Sequence, residues 1–181
     1  GIEEGGHPLN DDVTTMVLTP RMVESVKIPV VTVGGIANGR TMAAALTLGA
    51  LGVMMASRFI ATKECQVHDN IKQELVRKQE FNTTLYGQTL GLQGRALKSR
   101  IIEEVISIES RKGGFEEIIP LISGQRVKEA WEKGLVDFAP LMVGQSIGLI
   151  HNVVSCAELL ETMSAEAAEC LAATNQQVVK S

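Results

Sequence analysis

The sequence is poor in aromatic residues and in cysteine. Only 3% of its 181 residues are aromatic, and proteins that bind single-stranded nucleic acid stack the bases on such side chains. The three cysteines, Cys65, Cys156 and Cys170, are odd in number and widely spaced, which fits neither a disulfide framework nor a CxxC pair. These deficits favour a cytoplasmic protein with an aliphatic core, in which the cysteines serve packing.

The chain also lacks an excess of positive charge and a long apolar run. Its formal net charge is -4, and it contains no Lys or Arg cluster of the kind that contacts nucleic acid. No apolar segment approaches the roughly 20 residues that a membrane-spanning helix needs, and no signal segment opens the chain. We therefore expect a small-molecule ligand, with neither nucleic acid nor membrane as a partner, and no spacing of residues predicts a metal site.

Two apolar segments with a helix between them give the clearest structural signal in this chain, whose hydrophobic content is 45%. The segment IPVVTV is followed by NGRTMAAALTLGA, a helix pattern that Asn38 caps and Gly49 ends, and then by LGVMM. Apolar runs without alternation are typical of parallel strands buried on both faces. We expect an α/β protein with strands at 29–33 and 51–55, either a (β/α)8 barrel or an open doubly wound sheet.

Helical patterns dominate the rest of the chain. The segment TPRMVESVK predicts a short helix that Thr19 caps, with Pro20 in its first turn. Residues 62–138 mix an amphipathic helix pattern with short apolar runs, and we expect a smaller, mostly helical region there. Residues 139–181 end in a helix pattern whose capping box begins at Ser155, and this helix is expected to pack on the main core or on a partner subunit.

Small residues follow both expected strands. Gly34 and Gly35 follow the first strand, and Ala56 and Ser57 follow the second. Glycine leaves backbone N–H groups accessible to an anion, and a serine hydroxyl adds a further donor. One shared phosphate site is therefore expected. The loops after the last two strands of a (β/α)8 barrel serve this purpose, so these would be strands seven and eight.

Three segments, taken together, are similar to the nitronate monooxygenase family, formerly called 2-nitropropane dioxygenases. They are GIEEGGHP, IPVVTVGGIANGRTMAAALTLGALGVMMASRFIATKEC and GQSIGLI, in this order and spacing. The resemblance is dense over residues 1–65, thin over 66–138 and clear again at 140–150. It implies an FMN-dependent TIM barrel, related to enoyl-acyl carrier protein reductase II. Residues 1–61 would hold the last strands of that barrel, and 139–181 would return to it after the smaller region.

The resemblance also implies roles for individual residues. It makes His7, in the GGH motif, the catalytic base, and it places Gly5 against the flavin. Gly35 takes the place of the family's phosphate-binding glycine. The other expected cofactor contacts are Gly34, Met54, Met55, Ala56, Ser57, Gly144 and Gln145.

Two positions depart from the family pattern. Glu4 stands where the family usually has alanine, and Ala56-Ser57 stands where it usually has Gly-Thr. The serine keeps a hydroxyl for the phosphate, whereas alanine demands an ordinary backbone conformation. A barrel of this type takes about 250 residues, so we expect the chain, which starts at Gly1 without an initiator methionine, to be truncated at its N-terminus.

The activity that the resemblance implies is the oxidation of alkyl nitronates or nitroalkanes by O2 with FMN. A neutral imidazole at His7 would remove the acidic proton next to the nitro group. Similar sequences also include NAD(P)H-dependent quinone reductases and the enoyl thioester reductase, so an NAD(P)H-dependent flavin reductase is the first alternative. An inactive fragment, or half of a split barrel, is the second. A homodimer is compatible with each of these.

Overall fold

The computed structural model describes residues 1–6, 12–91 and 93–180. These residues form eight α-helices and four short strands. The helices are α1 (Thr15–Ser25), α2 (Gly39–Thr47), α3 (Ser57–Ile60), α4 (Asp69–Arg77), α5 (Arg100–Ser110), α6 (Phe115–Ile122), α7 (Gly124–Lys133) and α8 (Cys156–Lys180). The strands are β1 (Val31–Val33), β2 (Gly52–Met54), β3 (Thr83–Tyr86) and β4 (Gly94–Leu97).

Strands β1 and β2 form the predicted parallel pair. Their register joins Val31 to Gly52 and Val33 to Met54, and α2 is the crossover between them. The Asn38 side chain accepts a hydrogen bond from the Thr41 N–H at 3.0 Å and so caps α2. A complete β-α-β unit is therefore present where the apolar pattern predicted it, with strands slightly shorter than expected.

Helix α1 begins earlier than the sequence predicted, and the prediction that Thr19 caps it was wrong. The helix starts at Thr15, so Pro20 lies inside it. The first-turn N–H of Thr15 donates to the Glu3 carboxylate at 2.9 Å, which supplies the cap from a remote position. Thr19 is buried instead, and its hydroxyl lies 3.0 Å from that of Thr32 in β1. That bond fixes α1 against the sheet.

The middle of the chain contains a β-hairpin in addition to helices. Strands β3 and β4 are antiparallel, and their register runs from Thr83 opposite Leu97 to Tyr86 opposite Gly94. Helices α5 and α6 cover one side of this hairpin and bury Tyr86 with an aliphatic cluster. A second cluster joins α4 to residues 141–150, which we call the returning segment. Its members include Ile71, Leu75, Leu97, Leu141, Ile147 and Ile150.

Helix α8 packs on α2, as expected for a C-terminal helix that returns to the main core. The N–H of Gly39 donates to the Glu166 carboxylate at 2.7 Å. A Cβ atom at Gly39 would lie 2.6 Å from the backbone oxygen of Met163, so glycine permits the close approach. The Glu158 N–H donates to the Ser155 hydroxyl at 3.2 Å, which is one of the two bonds of the predicted capping box. Within the described ranges, no helix combines the length and apolar character needed to cross a bilayer.

We predict that Gly39→Ala destabilises the protein because the new methyl group meets the α8 backbone. Overpacking of this kind costs about 1–3 kcal/mol, measurable as a lower free energy of unfolding in urea. Gly124→Ala is the matched control, because it also occupies the first position of a helix and its Cβ would meet nothing within 4 Å. The control should be neutral or slightly stabilising; equal losses in both variants would contradict the packing argument.

We further predict that Tyr86 makes stability fall at alkaline pH. Tyr86 is 1% exposed, its hydroxyl has no hydrogen-bond partner among the described residues, and burial raises its pKa to about 12. The raised pKa means that the neutral phenol is favoured in the folded state, so its contribution is complete below the unfolded pKa of about 10 and is lost as pH rises towards 12. Urea unfolding from pH 9 to 11.5 should show a shallower decline for Tyr86→Phe than for the wild type. Parallel declines would contradict this assignment.

Candidate functional site

Residues 2–6, which precede the histidine of the GGH motif, are held on one side by Arg95 of β4. The Arg95 N–H donates to the Gly6 carbonyl at 2.8 Å, and the Gly6 N–H donates back at 3.3 Å. The guanidinium Nε of Arg95 donates to the carbonyl of Ile2 at 2.9 Å, and Nη1 donates to the Thr83 hydroxyl at 3.0 Å. Arg95 is buried, and burial lowers its pKa. The segment is therefore joined to β4 by one antiparallel bridge at Gly6 and by the Arg95 side chain.

The opposite side of residues 2–6 contacts Gly144 and Gln145 of the returning segment, backbone against backbone. The N–H of Gln145 donates to the carbonyl of Glu3 at 2.8 Å. A Cβ atom at Gly5 would lie 2.7 Å from the backbone nitrogen of Gly144, and a Cβ at Gly144 would lie 2.6 Å from the carbonyl oxygen of Glu3. Both positions therefore require glycine for reasons of space.

The end of β2 reaches the same place through a serine hydroxyl. Ser57 is buried, and its hydroxyl accepts a hydrogen bond from the Gly144 N–H at 3.0 Å. The hydroxyl oxygen is thus fixed by the returning chain, and its own hydrogen is left for another acceptor. The serine that the sequence offered as a phosphate donor consequently has a second, structural role.

The end of β1 contributes two glycines in the left-handed region. Gly34 has φ of 100° and Gly35 has φ of 72°, and residues other than glycine rarely adopt such backbone angles. The Thr15 hydroxyl donates to the Gly34 carbonyl at 3.2 Å, which ties this turn to α1. A Cβ at Gly35 would meet nothing within 4 Å. The backbone at Gly35 is therefore open to a ligand.

These segments enclose one crevice that contains eight of the nine predicted cofactor-binding residues. The eight are Gly5, Gly34, Gly35, Met54, Met55, Ala56, Ser57 and Gly144. Gln145, the ninth, lines an adjoining pocket that shares Gly35 and Ser146 with the crevice. His7, the predicted base, lies outside the described residues. Ser146 also lines the crevice and was not singled out from the sequence.

Glu4 also lines the crevice, at the position where the family usually has alanine. Burial raises the pKa of its carboxyl group, and the neighbouring charge of Glu3 raises it further. A carboxyl group that is protonated more readily repels an incoming anion less. Glu4 therefore changes the electrostatics of the crevice without closing it.

Sequence reasoning missed the residues that build the crevice from outside. Arg95 lies where the resemblance is thin, and nothing in its neighbours distinguishes a buried arginine from a solvated one. Glu3 lies close to the start of the chain, and no pattern around it predicts a role. Its carboxylate in fact caps α1. Both act through contacts with residues distant in sequence, which local patterns do not reveal.

Comparison with known proteins gives a family and several relatives. The family model described as nitronate monooxygenase matches residues 1–166. A curated relative from Rhodococcus jostii, a 5-hydroxy-7a-methyl-1-oxo-octahydro-1H-indene-4-carboxyl-CoA dehydrogenase, is 28% identical over 92% of this chain and 57% of its own length. The chain spans about half the length of the curated relatives it matches, 50% to 57% for the first three.

Two solved structures share the fold. FabK from Thermotoga maritima matches with a TM-score of 0.91 and 33% identity, over 98% of this chain and 55% of FabK. A nitroalkane oxidase from Streptomyces ansochromogenes matches with a TM-score of 0.78 and 27% identity, over 96% of this chain and 52% of the oxidase. The chain thus forms part of a (β/α)8 barrel, which decides between the two α/β architectures that its periodicity left open.

We predict that Ser57→Ala destabilises the protein by about 1–3 kcal/mol, because it leaves the buried Gly144 N–H without an acceptor. The free energy of unfolding in urea measures this loss. Ser25→Ala is the control: that hydroxyl bonds to the Arg21 carbonyl at an exposed site, where substitutions change stability by about 0.5 kcal/mol or less. Equal effects at the two serines would show that the Ser57 bond does not join β2 to the returning chain.

Proposed function

The chain belongs to the nitronate monooxygenase family, and we propose that the whole protein is an FMN-dependent oxidoreductase that oxidises alkyl nitronates or nitroalkanes with O2. The observation that carries the proposal is the convergence of Gly5, Gly35, Ser57 and Gly144 on one crevice, although they come from four separate segments. The similarity to a nitroalkane oxidase supports the choice of substrate.

The crevice fits the phosphate end of FMN. The open backbone at Gly35 is a place that a side chain would fill, and a phosphate needs such unobstructed N–H groups. Gly35, Ala56 and Ser57 would hold the phosphate, while Gly5 and the residues Gly34, Met54, Met55, Gly144 and Gln145 would lie along the rest of the cofactor. Bound FMN would supply the electron acceptor that carbon oxidation requires.

His7 is proposed as the general base. It follows directly on Gly6, whose backbone is paired with Arg95, and on Gly5, which lines the crevice. An unperturbed imidazole titrates near pH 6.5 and is largely neutral at physiological pH. A neutral His7 would accept the proton from the carbon next to the nitro group, which leaves that carbon able to lose electrons to a flavin.

An NAD(P)H-dependent flavin reductase is the second candidate. It is favoured by the TM-score of 0.91 to FabK and by the similarity to a dehydrogenase whose named substrate is a CoA thioester. The same crevice would serve either activity, because both need the flavin and differ in what reduces it. We also propose a cytoplasmic location, which the free cysteines support. We further propose that the whole protein forms a homodimer.

Rapid mixing of the full-length protein under anaerobic conditions tests the function. We expect a flavin absorbance spectrum in the purified protein, and bleaching of that spectrum by propyl-2-nitronate. Bleaching by NADH or NADPH, but not by the nitronate, would favour the reductase. A full-length protein that shows no flavin even after incubation with FMN would contradict both activities and favour an inactive fragment.

We predict that His7→Asn lowers the rate of nitroalkane oxidation by about 100-fold or more, because general base catalysis contributes factors of this size. Flavin content should be unchanged. The rate with a preformed nitronate should fall less than the rate with the neutral nitroalkane, since the nitronate needs no deprotonation. His68→Asn is the control, because the His68 side chain accepts the Asn70 N–H at the start of α4 and does not line the crevice, and asparagine also caps helices. Full activity of the His7 variant would remove this histidine from the mechanism.

A further inference from the structure

A second cavity lies behind the crevice and contains a buried arginine. Its volume is about 370 Å³, and it is bounded by the start of α2, residues 149–154 and α8. We call it the Arg58 cavity. It is lined by the polar side chains of Asn38, Arg58, His151, Asn152 and Thr162, the carboxylates of Glu158 and Glu166, and an apolar wall of Leu149, Val154, Leu159 and Met163.

Arg58 is 3% exposed, and among the described residues its guanidinium donates hydrogen bonds only to neutral oxygens. Nη1 donates to the Asn152 carbonyl at 3.1 Å, and Nη2 donates to the Asn152 side-chain oxygen at 3.2 Å and to the Ala61 carbonyl at 3.5 Å. Arginine has five N–H donors, so two of them have no acceptor within the described part of the chain. Burial lowers the pKa of Arg58, but arginine stays protonated at neutral pH. The cavity wall therefore carries a buried positive charge.

No described carboxylate forms an ion pair with Arg58. Two acidic residues line the same cavity, but neither fills this role. Glu166 accepts the Gly39 N–H at 2.7 Å and lies 3.8 Å from the Nε of Arg40. Glu158 is exposed. A buried charge is costly unless an opposite charge accompanies it, and the open space beside Arg58 is where such a charge would fit.

We propose that the Arg58 cavity binds an organic phosphate, with the phosphate against Arg58 and an apolar body against α8. Donors on several sides suit a phosphate, which has three acceptor oxygens: Arg58, the Asn38 amide, the Thr162 hydroxyl and, when protonated, His151. The cavity is larger than a bare anion requires, and its apolar wall would contact a nonpolar part of the ligand. The ligand is therefore a phosphate monoester with a body of nucleoside size.

The cavity is separate from the crevice but adjoins it. Ser57 lines the crevice, whereas the next residue, Arg58, lines the cavity. Leu149 lines both the cavity and the pocket that holds Gln145. A ligand in the Arg58 cavity would consequently lie beside whatever the crevice binds. The inference stands on Arg58 and its surroundings, and it does not depend on the flavin.

Calorimetric titration of the FMN-saturated full-length protein with AMP, adenosine and inorganic phosphate tests the proposal. We expect AMP to bind at least about 10-fold more tightly than adenosine, since hydrogen bonds to charged groups contribute this much. Arg58→Gln should reduce the affinity for AMP to that for adenosine, and Arg58→Lys should restore part of it. Inorganic phosphate should compete with AMP for the site.

Two further variants keep the test decisive. Thr162→Phe places a bulky side chain in the cavity from α8 and keeps Arg58 and every crevice residue, so it should abolish binding of AMP and adenosine while the flavin spectrum is retained. Arg21→Gln, at an exposed arginine that pairs with Glu24 on α1 and does not line the cavity, should leave AMP binding unchanged. Equal affinities for AMP and adenosine, or AMP binding that survives Thr162→Phe, would overturn the proposal. Loss of flavin alone would instead count against the proposed function.

Discussion

The close contact between Gly5 and Gly144 is the constraint on which the candidate site depends. The two backbones approach so closely that neither position has room for a Cβ atom. This approach lets Glu3 accept the Gln145 N–H and lets Ser57 accept the Gly144 N–H. Three segments are thereby fixed to one another through two backbone N–H groups, one bonded to a carbonyl and the other to a serine hydroxyl. The crevice has its shape because no side chain stands between its walls.

Two buried arginines stabilise the surroundings of the site in different ways. Arg95 and Arg58 both donate to backbone carbonyls and to neutral side chains, and burial lowers the pKa of each. Arg95 binds the loop that precedes the histidine, so its charge is matched by carbonyl dipoles of a packed segment and by the nearby charge of Glu3. Arg58 lines the Arg58 cavity instead, and no described carboxylate forms an ion pair with it. A buried arginine thus stabilises a packed loop at Arg95 and forms part of a candidate binding site at Arg58.

The parts of the fold that local sequence predicts are those that local forces determine. The unit from β1 to β2 follows from apolar runs and from the Asn38 cap, whose partner is three residues away. The start of α1 does not, because its cap comes from Glu3, twelve residues upstream. The hairpin was missed for a similar reason: Thr83–Tyr86 and Gly94–Leu97 are four residues each, too short for a period to show.

The predicted cofactor-binding residues meet at one crevice, and their role in binding stays a prediction. Glycine pairs and a small-residue strand end mark the crevice in the sequence, because a bound phosphate would exclude side chains there. The walls of the barrel have no such marker. In β1 and β2, Val31 is 59% exposed and Met54 is 57% exposed, although strands of a closed barrel are covered on both faces. A two-stranded sheet is marginal alone, so these apolar side chains are where the other strands of the barrel would pack, and those strands would complete the floor of the crevice.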